Sequence, residues 1–419
     1  MKVSGKFFFM FYFSMYLPTS ISVALGGLRL TPYRVLLIYF VLVNIGPILK
    51  SLQFKKEEPR FYWLFFSFWA VLALAINNDI AMAIETGGIH FIELCGPFFI
   101  VPAYVKNPAN LKKLINVMFL SIFGLLSISI PETLTGFNWF RTLTDAISGG
   151  RHGHIDPRMG LERAMATFDH PILNGVVCSS VIGFAYFCRG WLMAPFPVIA
   201  TLTSLSSGAI AAIMMQGLII GWEKVVKLKN RWNILTTICV VNYFIVDTIS
   251  NRSGLMAILS VITFSSDTAY NRLNIWIAGT EQNVYKHPIL GIGMNDWERP
   301  SWLGSSMDNF WLVIMVRYGL PAFFAYATAI ILIAKKIKQC KPRDKELIAI
   351  RRGWLCGLMG LALSACTVHY WNAAYIYFNF YIGLGYAIMI VLQGQVYREK
   401  HQRKVKMEKA GREQLEQTS

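Results

Sequence analysis

Apolar positions run along this chain in long unbroken blocks, and polar residues gather between the blocks instead of alternating with them. The blocks fall near 7–25, 34–49, 61–77, 81–104, 114–130 and 170–188, then 193–205, 207–222, 232–249, 310–334, 353–371 and 374–396. Most approach the ~17–25 residues that a helix needs to cross a ~30 Å hydrocarbon core. Alternating strands of ~10 residues, the mark of a membrane barrel, are absent. The pattern predicts an all-α integral membrane protein with about 12 transmembrane helices in residues 1–397.

Three blocks need argument. The first, 7–25, follows Lys2 and Lys6 and imitates a signal peptide, but it is long for one and lacks a small-x-small cleavage site, so a retained helix is expected. The stretch 194–222 has Arg189 before it and Lys224, Lys227, Lys229 and Arg231 after it. Flanks of the same sign demand an even number of crossings, and "TSLSSGAIAA" supplies a Ser/Gly turn between two short ones. Between Arg252 and Arg272, "SGLMAILSVITF" is too short to span and is expected to dip into the interface or to re-enter against protein. Residues 131–169 and 250–309 are the long polar loops, and 398–419 is a charged tail, a loose cytoplasmic helix or disordered.

Composition narrows the class. The 419 residues are 55% hydrophobic and 15% charged, against roughly 25% charged in soluble domains. The net charge of +17 would suggest nucleic acid in a soluble protein. No basic domain stands apart from the spans, and cytoplasmic loops of membrane proteins collect Lys and Arg, so nucleic-acid binding is not expected. Seven cysteines are scattered without a CxxC pair and read as small buried hydrophobes.

The distribution of the basic residues is more informative than their number. With both termini cytoplasmic, 29 of the 40 fall on the inner side, 20 Lys and 9 Arg. The other 11 are Lys286 and ten arginines: Arg29, Arg34, Arg141, Arg151, Arg158, Arg163, Arg252, Arg272, Arg299 and Arg317. Topology does not reward Arg outside. A guanidinium is a rigid fork of donors that grips phosphate or carboxylate through two bonds, which Lys cannot do. Either these arginines pair with Asp145, Asp156, Glu162, Asp296 or Glu298, or they hold an anionic ligand at the outer face.

Several segments in this region resemble the O-antigen ligase and polysaccharide polymerase superfamily of bacterial inner membranes. They are "SNRSG", then "NRLNIW" with an Arg and a Trp four residues apart, then "HPILGIGMNDW" and "MDNFWLVIMVRYGL". "SLSSGA" is similar to a turn that usually reads Ser-Arg-Gly-Ala, and "ERAMATFDHPILNG" to the segment opening a middle helix. Ser207 stands where that turn has Arg, and Asp308 where the family has a His. The resemblance implies a multi-pass protein of the bacterial inner membrane with a periplasmic active site. Its activity would be a metal-independent, cofactor-free glycosyl transfer from a polyprenyl-pyrophosphate-linked oligosaccharide to an acceptor glycan. Membrane lipid and a chain-length regulator are the other partners implied. Asp in place of the ligase-associated His leans toward a polymerase of O-antigen or exopolysaccharide repeat units. A ligase acting on lipid A-core, and a non-enzymatic transporter or flippase of lipid-linked glycan, are the alternatives.

Such a transfer needs cations on the departing pyrophosphate and a base for the acceptor hydroxyl. Arg252 and Arg272 are the first candidates for the cations, with Arg163 and Arg317 next. Arg317 is expected ~12 Å below the outer boundary, where it either serves function or pairs with Glu85 or Glu93. Asp308 is the candidate base and His287 the runner-up; Asp308 or Asn309 is equally placed to cap the helix that follows. Asn309 and Trp276 complete the expected substrate contacts, although Trp276, Trp297, Trp302 and Trp311 would serve as interfacial anchors too. "RHGHIDPR" offers His152, His154 and Asp156 in a metal-like spacing without a further ligand nearby. His90 and Glu93 either face a polar cavity or satisfy each other.

Overall fold

Most of the described helices begin where the sequence supplies a capping side chain or a proline. The computed structural model describes residues 1–25, 28–52, 57–148, 155–228, 230–249 and 266–418. In order, the helices are α1 (Gly5–Ser14), α2 (Pro32–Leu49), α3 (Pro59–Asn77), α4 (Ile80–Tyr104, with a π turn at Ala83–Gly87) and α5 (Pro108–Thr135). They continue with α6 (Trp139–Ser148), α7 (Pro171–Arg189), α8 (Pro195–Leu202), α9 (Ser207–Val225) and α10 (Arg231–Ile249). Last come α11 (Ser266–Ala278), α12 (Phe310–Gln339), α13 (Lys345–Ala365) and α14 (Asn372–Thr418), which carries the tail onward as helix. A two-stranded hairpin, β1 (Val23–Leu25) with β2 (Leu28–Leu30), is the only sheet among the described residues. This is an all-α membrane protein.

Ten helices among the described residues are long and apolar enough to cross a bilayer, against the twelve crossings expected. The two that fall short are α1 and α8, and proline explains both. Pro18 cannot continue the first helix, which stops at Ser14, and Pro195 opens α8 only eight residues before its end at Leu202. Both segments nevertheless join the two ends of the bundle. The Met1 carbonyl accepts from Lys106 Nζ at 3.0 Å beyond the end of α4, while the Thr19 amide donates to Asp169 Oδ1 at 3.1 Å at the start of α7. Likewise α8 leads from Arg189 to Thr203, whose carbonyl accepts from the Ala164 amide at 2.9 Å.

Basic loops meet at one end: Arg231 and Arg352 converge on Glu223 at 2.9 and 3.5 Å, and Lys112 pairs with Glu346. The other end carries the loops described below. Aromatic rings and small residues hold the core together. Trp63 stacks on Phe98 at 4.2 Å, and buried Tyr326 donates to Asn379 at 2.7 Å. Gly175 lets α7 approach so closely that a Cβ there would lie 2.5 Å from Ala209. Contacts of this kind replace the hydrophobic drive that lipid does not provide. Apolar α10 buries no residue, as a lipid-facing helix would.

Candidate functional site

The loop "HPILGIG" and the sequence "RYGL" of α12 form one interlock. Gly319 has φ +80°, so the helix breaks there and its last carbonyls need donors from elsewhere. The Ile292 amide reaches Val316 O at 2.8 Å, the Gly293 amide reaches Arg317 O at 2.9 Å, and the Leu320 amide reaches Pro288 O at 2.7 Å. The two backbones touch: a Cβ on Gly319 would stand 2.0 Å from Ile289 O, and one on Gly291 2.4 Å from Val316 O. Trp69 of α3 closes the joint by donating to Tyr318 O at 3.0 Å. The break fixes the outer two turns of α12, Phe310 to Tyr318, as a rigid wall with a cavity on each of two faces.

The first cavity is a groove of about 500 Å³ between α12 and α13. Arg272, Trp276, Asp308 and Asn309 stand at its head. Below them the walls are apolar, through Trp311, Phe323 and Ile330 to Ala334 on one side and through Ala362 to Met359 on the other. Asn309 caps the helix, accepting from the Leu312 amide at 3.0 Å, so the carboxylate of Asp308 is left to the groove. Among the described residues it accepts from Ser306 Oγ, 2.9 Å away.

Arg272 is buried, and its Nη2 donates to Ser207 Oγ at 2.8 Å, while Nε and Nη1 find no acceptor among the described residues. Burial pushes its pKa below the ordinary arginine value; Asp308 opposes the fall and Arg158 adds to it. A guanidinium stays protonated regardless. Arg163 is close by in electrostatic terms: burial and then Arg158 bring it down to about 10, and its Nε has no acceptor among the described residues. Arg158 donates to Leu205 O at 2.9 Å. His170 caps α7 by accepting from the Ile172 amide at 3.2 Å, and it feels Arg163, Asp308 and Arg158. Burial first and those arginines next bring His170 down to about 4, so it is neutral at physiological pH.

Backbone strain collects at the same end. Four non-glycine residues have positive φ: Met159, Ala166, Leu205 and Asn372. Each costs ~1–3 kcal/mol and persists only where its surroundings over-determine it. Leu205 is held by Arg158, and Ala166 by Glu132 Oε2, which accepts its amide at 2.8 Å, and by Asn138.

The second cavity, about 340 Å³, lies on the other face of the outer turns of α12. Phe310, Ile314 and Arg317 turn toward it, with His90, the Arg34–Glu93 ion pair (2.6 Å), His369, Trp371 and Tyr375. Arg317 therefore does not share a cavity with Arg272, contrary to the sequence expectation that groups them; it lies with Phe310 and Ile314 on one face of α12, while Trp311 and Met315 on another face line the first groove. Its expected carboxylate partners are occupied or remote: Glu93 pairs with Arg34 and Glu85 is exposed. His90 and Glu93 both face this cavity and do not bond to each other. Sequence reading missed His369 altogether, since a His-Tyr-Trp at the junction of two spans carries no spacing signal.

The remaining expectations divide. His287 is exposed and lines neither cavity; its segment acts through backbone bonds. Arg299 pairs with Asp296 at 2.6 Å and Lys286 with Glu298, so for these the salt-bridge reading holds. Arg252, the re-entrant stretch before Arg272, Arg151 and the pair His152 and His154 lie outside the described residues. No protein-family model matches the chain, and no curated protein does.

Proposed function

We propose that this protein is a membrane glycosyltransferase that moves a glycan from polyprenyl pyrophosphate to an acceptor sugar hydroxyl, as a polymerase of lipid-linked repeat units. One observation carries the reading: buried Arg272, whose Nε and Nη1 have no acceptor among the described residues, lines with Asp308 the head of an apolar groove. A polyprenyl chain fits the groove in character, and its pyrophosphate would then meet the guanidinium. Arg163 and Arg158 extend the positive field, and Trp276, one helical turn from Arg272, offers a face to a sugar ring. The site would open to the periplasm of a bacterial inner membrane.

In this reading the acceptor oxygen attacks the anomeric carbon as its proton passes to the Asp308 carboxylate. The bond from that carbon to the pyrophosphate oxygen breaks, and the leaving group keeps the electron pair. Arg272 stabilises the charge that develops there, a fixed electrostatic contribution. Arg252 remains a proposed second cation.

Purified protein in liposomes, given its host's lipid-linked repeat unit, tests the idea. Glycan chains that lengthen on a gel support it, together with their loss in Arg272→Gln and Asp308→Asn. Normal elongation by both variants would refute it. Deleting the gene separates the two transfer reactions: single repeat units on lipid A-core indicate a polymerase, whereas long chains left on the polyprenyl lipid indicate a ligase.

A further inference from the structure

The cavity behind Arg317 has the chemistry of a binding site and plays no part in the transfer step just described. Its walls carry Tyr318, Trp371 and Tyr375, aromatic faces of the kind on which sugar rings stack, and its volume of about 340 Å³ falls within the range of small-molecule pockets. Its polar groups are incompletely satisfied. Buried His90 Nε2 and Tyr375 Oη have no hydrogen-bond partner among the described residues.

Charge then selects the ligand. Arg34 and Glu93 neutralise each other at 2.6 Å, at the floor of the cavity. Arg317 forms no ion pair among the described residues and rests one Nη on the Met294 sulfur, a weak acceptor. The cavity is thereby left at least one charge positive. His369 beside it is neutral at physiological pH, because burial and then Arg317 bring it down to about 4. A lone arginine at a cavity wall, flanked by unpartnered donors and aromatic faces, suits a sugar that itself carries a negative charge.

We infer that this second cavity binds an acidic saccharide residue, with Arg317 on its carboxylate or phosphate and with His90 and Tyr375 on its hydroxyls. Trp371 reaches toward the arginine cluster: its ring lies 6.0 Å from His369 and 5.5 Å from His170, which lines neither cavity but feels Arg163 and Asp308. That one glycan could reach both sites, making the acidic sugar part of the transferred or accepting chain, rests on the transfer reading; the binding itself does not.

Tryptophan fluorescence of the full chain in lipid nanodiscs reads the site through Trp371. The probes are methyl β-glucuronoside, glucose 6-phosphate, methyl β-glucoside and inorganic phosphate. At least one of the two acidic sugars is expected to saturate about tenfold more tightly than both the glucoside and phosphate, and which one identifies the anion. Arg317→Gln should abolish that preference, and Tyr375→Phe, which removes only a hydroxyl, should weaken binding severalfold with an unchanged melting midpoint. Arg272→Gln should bind as wild type does. Equal binding of glucoside and acidic sugars, phosphate alone binding as well, a preference retained in Arg317→Gln, or no saturable binding would each overturn the inference. Inactivity in the elongation assay would refute the transfer reading and leave this result standing.

Discussion

Ser207 accepts a hydrogen bond from Arg272 Nη2 at 2.8 Å, across 65 residues of chain. Ser207 opens α9, so here a hydroxyl on one helix aims an arginine that comes from another. Ser207→Ala removes the aim and leaves the charge. A hydrogen bond to a charged group contributes ~1.5 kcal/mol or more, so elongation should fall about tenfold with the protein still folded. Steady-state elongation rates check this; an unaltered rate means that Arg272 needs no guide.

Arg272→Lys separates charge from geometry. Lysine keeps the cation but offers a point charge where the guanidinium offers a planar fork. The expected order of rates is wild type, then Lys about tenfold lower, then Gln about a hundredfold lower, the usual range for a lost electrostatic donor. Equal rates for Lys and Gln would indicate that the fork, and not the charge, does the holding.

The bundle was legible in the sequence because apolar runs of spanning length admit few other readings; what misled was helix length. Counting apolar residues ran the first span through Pro18 and opened another before Pro195, and in both cases the missing amide and the ring decide the matter. Arg158, Arg163 and Arg272, three of the ten arginines that the sequence sets apart, act on one another or on a shared neighbour. That Arg317 lies apart from them was not legible. Arg272 and Arg317 are near in sequence and share a motif region, while the groups that surround Arg317 come from α2, α4 and the α13–α14 junction, more than fifty to nearly three hundred residues away. Only packing brings Arg34, His90 and His369 together, and a single sequence has no record of it.

Gly319 and Gly291 are the joint on which both cavities depend. A methyl group on Gly319 would sit 2.0 Å from Ile289 O at a positive φ, so Gly319→Ala should cost roughly 2–3 kcal/mol or more. Gly124, in open space on α5, is the control: alanine there should be neutral or gain roughly 0.5–1 kcal/mol of helix propensity. Melting curves in detergent compare the two, and a Gly319→Ala protein as stable as Gly124→Ala would mean that the interlock is loose.

Neighbours Asp308 and Asn309 should separate cleanly. Asn309→Ala loses the cap on α12 and about 1 kcal/mol of stability, with a modest effect on rate. Asp308→Asn keeps shape and stability but cannot take a proton, and should abolish elongation while retaining the lipid donor. A stability loss at Asp308 with normal elongation would reverse the two roles.

Acid sensitivity follows from His170. It is brought down to about 4 by burial and then by Arg163, whereas in the unfolded chain it titrates near ~6.5. Between these values the unfolded chain binds a proton that the folded protein refuses, so stability rises with pH across the window. The neutral histidine's contribution is therefore full above about pH 6.5 and is lost as pH falls toward about 4. His170→Asn keeps a good cap for the Ile172 amide and removes the titration, so its melting temperature should fall less steeply across that window than the wild type's. Midpoints measured at half-unit steps from pH 7 to 4 decide it; parallel curves would assign the acid loss to other groups, half-buried His369 first among them.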